Sequence, residues 1–235
     1  SGARVEIHEQ TCYPFEEQIR FSISMPDRKH RSAEFPFELR IPEWSDKYTL
    51  TVNGQAVKAD DVRKGAIRIN RTWSDGDEVI LTLNAPVRTT SWYDRAAVIE
   101  RGPLVYALRM EENWQKHICE GDDKVQLGEY YYEVTSTTPW NVALMGADLN
   151  DDKIQQSFIV EKSACSDKPW SLESAPIKIK AKGRILPEWT MNRNSAGDFC
   201  YYTQQAPEGE VGEEVDIELI PFGCTTLRVT EFPVR

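Results

Sequence analysis

Alternation of apolar and polar residues, repeated along most of the chain, constrains its fold more than any other feature. Ile19, Phe21, Ile23 and Met25 alternate with polar neighbours, and Phe35, Phe37, Leu39 and Ile41 recur at the same spacing in EFPFELRIP. Tyr48, Leu50 and Val52 run into Asn53-Gly54, a dipeptide that tolerates the positive φ of a two-residue hairpin turn. Ile67 and Ile69 follow, and a Ser-Asp-Gly-Asp turn then precedes Val79, Leu81 and Leu83. A period of two points successive side chains to opposite faces. Each segment therefore buries one face and wets the other, as a strand of an antiparallel sheet does. From residue 4 to about 99 the pattern predicts about seven or eight short strands and no clear helix.

The second half repeats the style without repeating the sequence. LVYALR, EYYYEV, NVALM, SFIVE, PIKIKAKGRIL, DFCYYT, EVDIELI and TTLRVTEF read as strands. In PIKIKAKGRIL, Ile177, Ile179 and Ala181 share one face and Lys178, Lys180 and Lys182 the other, which predicts a solvent face or a sheet edge. RGPLVYALR stands apart. Gly102 permits a turn, Pro103 suits a strand start, and Leu104 to Leu108 lose the alternation, as a strand buried on both faces would. Segments 146–156 and 163–174 are polar and predict mobile loops. The expectation is an all-β chain of two consecutive antiparallel β-sandwich domains, Ig-like or jelly-roll-like. Residues 1–100 form the first and 101–235 the second, with RGPLVYALR at the joint.

Bulk properties exclude several functions. With 235 residues the chain is long enough to fold without a disulfide or metal staple. Its formal charge of -10 argues against nucleic acid, whose phosphates need clustered Lys and Arg, and against anionic membrane. No run approaches the ~18 apolar residues of a spanning helix. The chain opens Ser-Gly-Ala-Arg, and Ser1-Gly2 reads as a cloning remnant, so a piece of a longer protein is expected. Cys12, Cys119, Cys165, Cys200 and Cys224 form no CxxC pair, which excludes a zinc ribbon or thioredoxin-type site. Free buried thiols are the default reading, with one or two bridges left open.

Motif chemistry is sparse. Asp148-Leu149-Asn150-Asp151-Asp152 imitates the start of a calcium loop, but Lys153 and Ile159 stand where the turn glycine and bidentate glutamate belong. His117-x-Cys119 offers two ligands where a closed zinc site needs four. A GxSxG elbow and a Gly-rich phosphate loop are both absent. Thirty-eight acidic residues supply too many carboxylate pairs for any one to be singled out. The tryptophans say more. Trp44 and Trp73 flank strands and turns and read as corner packing. Trp114, Trp140, Trp170 and Trp189 fall in predicted loops, where indole faces stack on sugar rings or pack on a partner domain. These four are the candidate ligand-binding residues. No residue is singled out as catalytic and none as a metal ligand.

Several stretches taken in order resemble one family. Gln10-Thr11-Cys12-Tyr13-Pro14-Phe15-Glu16 resembles its entry segment, and Phe37-Glu38-Leu39-Arg40-Ile41-Pro42-Glu43-Trp44 its LRIPxW strand. Val52-Asn53-Gly54 resembles its VNG hairpin, and Trp73-Ser74-Asp75-Gly76-Asp77 its WxxGD turn. Arg101-Gly102-Pro103-Leu104-Val105-Tyr106-Ala107-Leu108, Leu186-Pro187-Glu188-Trp189 and the closing IPFGCTTLRVTEFP complete the set. Together they resemble the C-terminal sandwich domains of glycoside hydrolase family 127, the β-L-arabinofuranosidase-like proteins. The resemblance implies a parent with an N-terminal (α/α)6 barrel that carries a catalytic zinc, its cysteine ligands and a cysteine nucleophile. No part of that barrel is in this sequence, and none of the five cysteines matches its cluster. The stretch after Trp189 departs from the family pattern, reading MNRNSAGD where a Pro-rich loop is common.

The expected function is therefore that of a non-catalytic accessory region of a glycoside hydrolase. Its partner would be the parent's own barrel, with plant-type oligosaccharides as candidate ligands. No cofactor is expected in this chain, and zinc is expected in the parent barrel. The compartment stays open between bacterial periplasm and cytoplasm. The alternatives are a carbohydrate-binding module and an Ig-like structural or adhesion segment.

Overall fold

The computed structural model describes residues 2–27, 29–63, 65–92, 96–194, 197–200 and 209–235, with the backbone alone for 192–194 and 197–200. The chain divides into two compact units, residues 1–86 and 87–235.

The first unit holds β1 (Glu6–Thr11), β2 (Gln18–Ser24), β3 (Ser32–Arg40), β4 (Tyr48–Val52), β5 (Gln55–Ala56), β6 (Asp61–Arg63), β7 (Ala66–Ser74) and β8 (Glu78–Leu83). One sheet runs β1-β2-β8-β4-β5 and the other β3-β7-β6, and every pairing in both is antiparallel. The alternating apolar residues meet as predicted. Ile23, Leu50, Val52, Val79, Leu81 and Leu83 of the first sheet share one core with Leu39, Ile67, Ile69 and Trp73 of the second. This is the sandwich arrangement, in which two inner faces interdigitate.

Trp73 differs from the corner role expected of it. It lies in β7, 0% exposed, within that core, and its indole N–H donates to the Phe35 carbonyl at 3.0 Å. The rings of Phe35 and Phe37 lie 5.9 and 5.7 Å away. Two turns lock one another at the end of this sandwich. Asn53 (φ 51°) and Gly54 (φ 76°) form the β4–β5 hairpin turn. The Asn53 amide donates to Asp77 Oδ1 at 2.8 Å, and Asp77 Oδ2 accepts from the Ser74 N–H at 2.8 Å. Asp77 is buried, and these bonds satisfy its carboxylate.

The second unit holds β9 (Val87–Ser91), β10 (Ala97–Arg101), β11 (Leu104–Leu108), β12 (Asn113–Ile118), α1 (Gly121–Leu127), β13 (Tyr130–Thr135), β14 (Val142–Ala143), α2 (Ile154–Ser157), β15 (Ile159–Lys162), β16 (Ile177–Ile185), β17 (Met191–Asn194), β18 (Gly197–Cys200), β19 (Glu214–Pro221) and β20 (Glu231–Phe232). Eight strands join one sheet along β14-β16-β19-β11-β10-β20, with β15 on β16 and β9 on β10. The hairpins β12–β13 and β17–β18 stand as two-stranded sheets. The all-β, antiparallel class holds.

The division falls at 86/87, where 100/101 was expected. β9 pairs β10 over five residues and β10 pairs β11, so residues 87–100 belong to the same sheet as RGPLVYALR. That segment is no joint. Arg101 pairs Leu104 across a two-residue turn with Gly102 at φ 57°, and β11 lies between β10 and β19 inside the sheet. Its central position explains the lost alternation, because Leu104, Tyr106, Ala107 and Leu108 are all buried.

β16 is likewise no edge. It pairs β19 on one side and β15 and β14 on the other. Its three lysines instead pair acids along the sheet surface: Lys178 with Glu218, Lys180 with Glu161, and Lys182 with Glu214 and Asp216, at 2.8–3.1 Å.

Segment 146–156, expected to be a loop, carries a 3-10 turn (Gly146–Asp148) and α2, whose Ile154 is buried. The imitation calcium loop is closed on itself. Asn150 bonds the Ala147 carbonyl and the Lys153 N–H, and Ser157 donates to Asp148. Of the cysteines, Cys119 and Cys224 are free and buried, whereas Cys12 and Cys165 are disulfide-bonded, against the default reading. The Cys200 side chain and residues 201–203 of the predicted DFCYYT strand lie outside the described residues.

Candidate functional site

A cavity of about 320 Å³ opens in the second unit where three segments come together. The approach to β12 supplies Glu112 and Trp114, segment 170–173 supplies Trp170 to Glu173, and the chain after β19 supplies Gly223 to Thr226 and Arg228. Trp114 is 50% exposed and Trp170 49%, so both indoles offer surface to a ligand. Trp170 is seated against a glycine backbone: a Cβ on Gly223 would lie 2.7 Å from its Cε3. Only glycine lets the ring approach that closely.

Glu112 is the polar centre of the cavity. Its Oε1 accepts from the Thr225 hydroxyl at 2.8 Å, the Thr226 N–H at 2.5 Å and the Leu227 N–H at 3.3 Å, while Oε2 accepts from the Trp114 indole N–H at 3.1 Å. Desolvation raises the carboxyl pKa, but these hydrogen bonds to the charged form outweigh it and hold the group below the ordinary glutamate value. A carboxylate offers about four acceptor positions, so Oε2 keeps room for one further donor. Arg228 is held in place, its Nε donating to the Thr225 carbonyl at 2.9 Å and its guanidinium stacking 4.3 Å from the Phe222 ring centre. Its terminal nitrogens make no further hydrogen bond among the described residues, which leaves two donor groups for a ligand.

Cys224 also lines the cavity, but as a buried thiol directed at the Pro169 carbonyl, 3.5 Å away. Desolvation pushes its pKa up to about 11, so it is protonated and unreactive at neutral pH. Among the described residues no three His, Cys, Asp or Glu side chains come together to hold a metal ion. His117, half of the His-x-Cys pair, stacks on Tyr131 at 5.0 Å and bonds Glu133 at 3.1 Å.

The structure separates the four candidate tryptophans. Trp114 and Trp170 line the cavity. Trp189 is 2% exposed and shares a core with Leu186 and Ala143, against which the partly buried Trp140 packs edge-on at 5.0 Å. Glu112 and Arg228 carry no motif of their own and are missed by sequence reasoning. Both line the cavity, Glu112 bonds Thr225 across a separation of 113 residues, and only the closing FGCTTLR stretch hints at the cradle. Two other cavities of similar size are lined by Lys180 and Lys182 of β16 and by the β4–β8 ends, and neither contains an indole.

The β12–β13 hairpin is the second notable surface. Trp114, Ile118, Tyr130, Tyr131 and Tyr132 are all exposed, as are Val125 and Leu127 of the following helix α1. Cross-strand rings order the hairpin, with Trp114 and Tyr132 at 5.6 Å and the Lys116 ammonium 3.9 Å from the Tyr130 ring centre.

The fold and site define a class: an all-β, sandwich-bearing chain with a polar, indole-lined cavity. Residues 1–85, which fall within the first unit, match the family model described as beta-L-arabinofuranosidase, GH127 middle domain. A GH127 β-L-arabinofuranosidase from Geobacillus stearothermophilus T6 shares the fold over 100% of this chain, with a TM-score of 0.59 at 21% identity. A structure described as a glycoside hydrolase matches 98% of the chain (TM-score 0.58, 24% identity), and a second GH127 β-arabinofuranosidase 99% (0.58, 19%). The chain spans only 31–32% of the length of these structures. No curated protein matches the sequence.

Proposed function

We propose that this chain is the accessory, non-catalytic β-sandwich region of a β-L-arabinofuranosidase-like glycoside hydrolase. The match of residues 1–85 to the GH127 middle domain carries this reading. The partner is the parent's catalytic barrel, and the chemistry, zinc included, belongs to that barrel. The exposed Ile118, Val125, Leu127 and Tyr131 around the β12–β13 hairpin, none of which lines the cavity, support a docked rather than free-standing role, because isolated domains rarely keep large apolar surface in water. The test is enzymatic. The purified chain folds, shows a β-rich circular dichroism spectrum and leaves aryl β-arabinofuranosides intact with or without added zinc, while the full-length parent cleaves them. Hydrolysis by the chain alone sinks the reading.

A further inference from the structure

We infer that the cavity formed by Glu112, Trp114, Trp170 and Arg228 is a binding subsite for one neutral sugar residue of a glycan. Its volume of about 320 Å³ sits at the low end of small-molecule sites, roughly 300–1,000 Å³, which suits a single ring and not a long chain segment. Trp114 and Trp170, each about half exposed, present the flat apolar surface on which the C–H face of a sugar ring packs.

Polar groups of both kinds surround that surface. Glu112 Oε2 accepts one more hydrogen bond, and the terminal nitrogens of Arg228 donate. A sugar hydroxyl both donates and accepts, so vicinal hydroxyls can answer both groups at once. These groups are placed in advance: four donors hold the Glu112 carboxylate, and Phe222 with the Thr225 carbonyl holds the Arg228 guanidinium. Side chains fixed before binding lose little entropy when a ligand arrives, so weak contacts yield net affinity.

Charge selects within the class. Glu112 and Glu173 both line the cavity, and together they repel a uronate or phosphate. Arg228 in turn disfavours a cation. What remains is a neutral polyol. The inference takes its ligand class from the reading of the parent as a carbohydrate-active protein, and its geometry from the second unit alone.

Titration calorimetry of the 235-residue chain with neutral arabino- and galacto-oligosaccharides, and with oligogalacturonate, tests it. Saturable binding of a neutral glycan is expected, weakened at least tenfold by Trp170→Ala and by Arg228→Gln, with oligogalacturonate at least tenfold weaker. Trp92→Ala removes an indole that is 60% exposed but lies outside the cavity, and leaves affinity unchanged. Trp114→Ala provides a second lesion if Trp170→Ala fails to fold, which the thermal melt of each variant reports. No heat from any neutral glycan at millimolar concentration overturns the inference. Equal loss in Trp92→Ala, or equal binding of oligogalacturonate, overturns it as well. A silent titration beside a hydrolytically active parent removes the subsite alone. Bound sugar beside an inactive parent removes the glycosidase reading alone.

Discussion

In the first unit Trp73 sits at 0% exposure between Phe35 and Phe37, whereas in the second Trp114 and Trp170 keep about half their surface in solvent. The difference follows from how many layers each strand finds. β7 belongs to a sheet whose inner face meets a second sheet, so its indole has partners on both sides. β12 has one partner strand, β13, and neither strand buries a face. A two-stranded hairpin in water is marginal by itself, so its rings stabilise it laterally while leaving their outer surfaces open. Burial makes Trp73 a stability residue, whereas half-burial beside a cradled carboxylate suits Trp114 and Trp170 to the sugar subsite proposed above.

That contrast can be broken by substitution. Trp73→Ala has the largest expected effect, about 3–5 kcal/mol lost to transfer and cavity terms, read from the denaturant midpoint. Trp170→Ala, on the other side of the comparison, costs about 1 kcal/mol or less in the same measurement. Comparable losses for the two would dissolve the distinction.

A backbone approach comes next. A Cβ on Gly183 of β16 would lie 2.3 Å from Val142 Cγ1 and 3.3 Å from the Ala143 carbonyl oxygen. Gly183→Ala should therefore cost about 1–3 kcal/mol, the range for overpacking, in a thermal melt. Unaltered stability would mean that β14 shifts freely.

The pH dependence sharpens the contrast from the cavity side. The folded-state pKa of Glu112 lies below its unfolded value near 4.5, so its contribution is present above that value and is lost as pH falls through the folded pKa. Glu112→Gln should flatten the acid limb of stability below pH 4.5 and leave the neutral-to-alkaline region with its shape unchanged. An acid limb identical to that of the unsubstituted chain would contradict the cradle.

The smallest effect concerns Cys224. With a thiol pKa of about 11, it should react with iodoacetamide at pH 8 far more slowly in the native chain than after denaturation. Equal rates would show that the cavity floor is open.

The first unit was the more legible in sequence because its pattern is local. Ile67, Ile69, Val79 and Leu81 declare their buried face through spacing alone, and Asn53-Gly54 declares its turn through the φ its residues tolerate. The second unit was less so. EYYYEV was recognised as a strand, but NWQKHI, its partner in β12, lacks alternation and was missed, and so the exposed hairpin was missed with it. RGPLVYALR was placed in a strand buried on both faces but at the wrong place in the fold. A buried run marks a central strand without saying which sheet surrounds it.

By itself the sequence determined the all-β class, the antiparallel pairing and the family resemblance, because side-chain period, turn chemistry and motif order are properties of neighbours along the chain. Only the tertiary structure decided that residues 87–100 join the second unit, that Trp189 is buried with Trp140 packed against it, and that Glu112 meets Thr225 and Thr226 from the far end of the chain. Those outcomes depend on which distant surfaces exclude water together, and burial of that kind is a property of the folded whole.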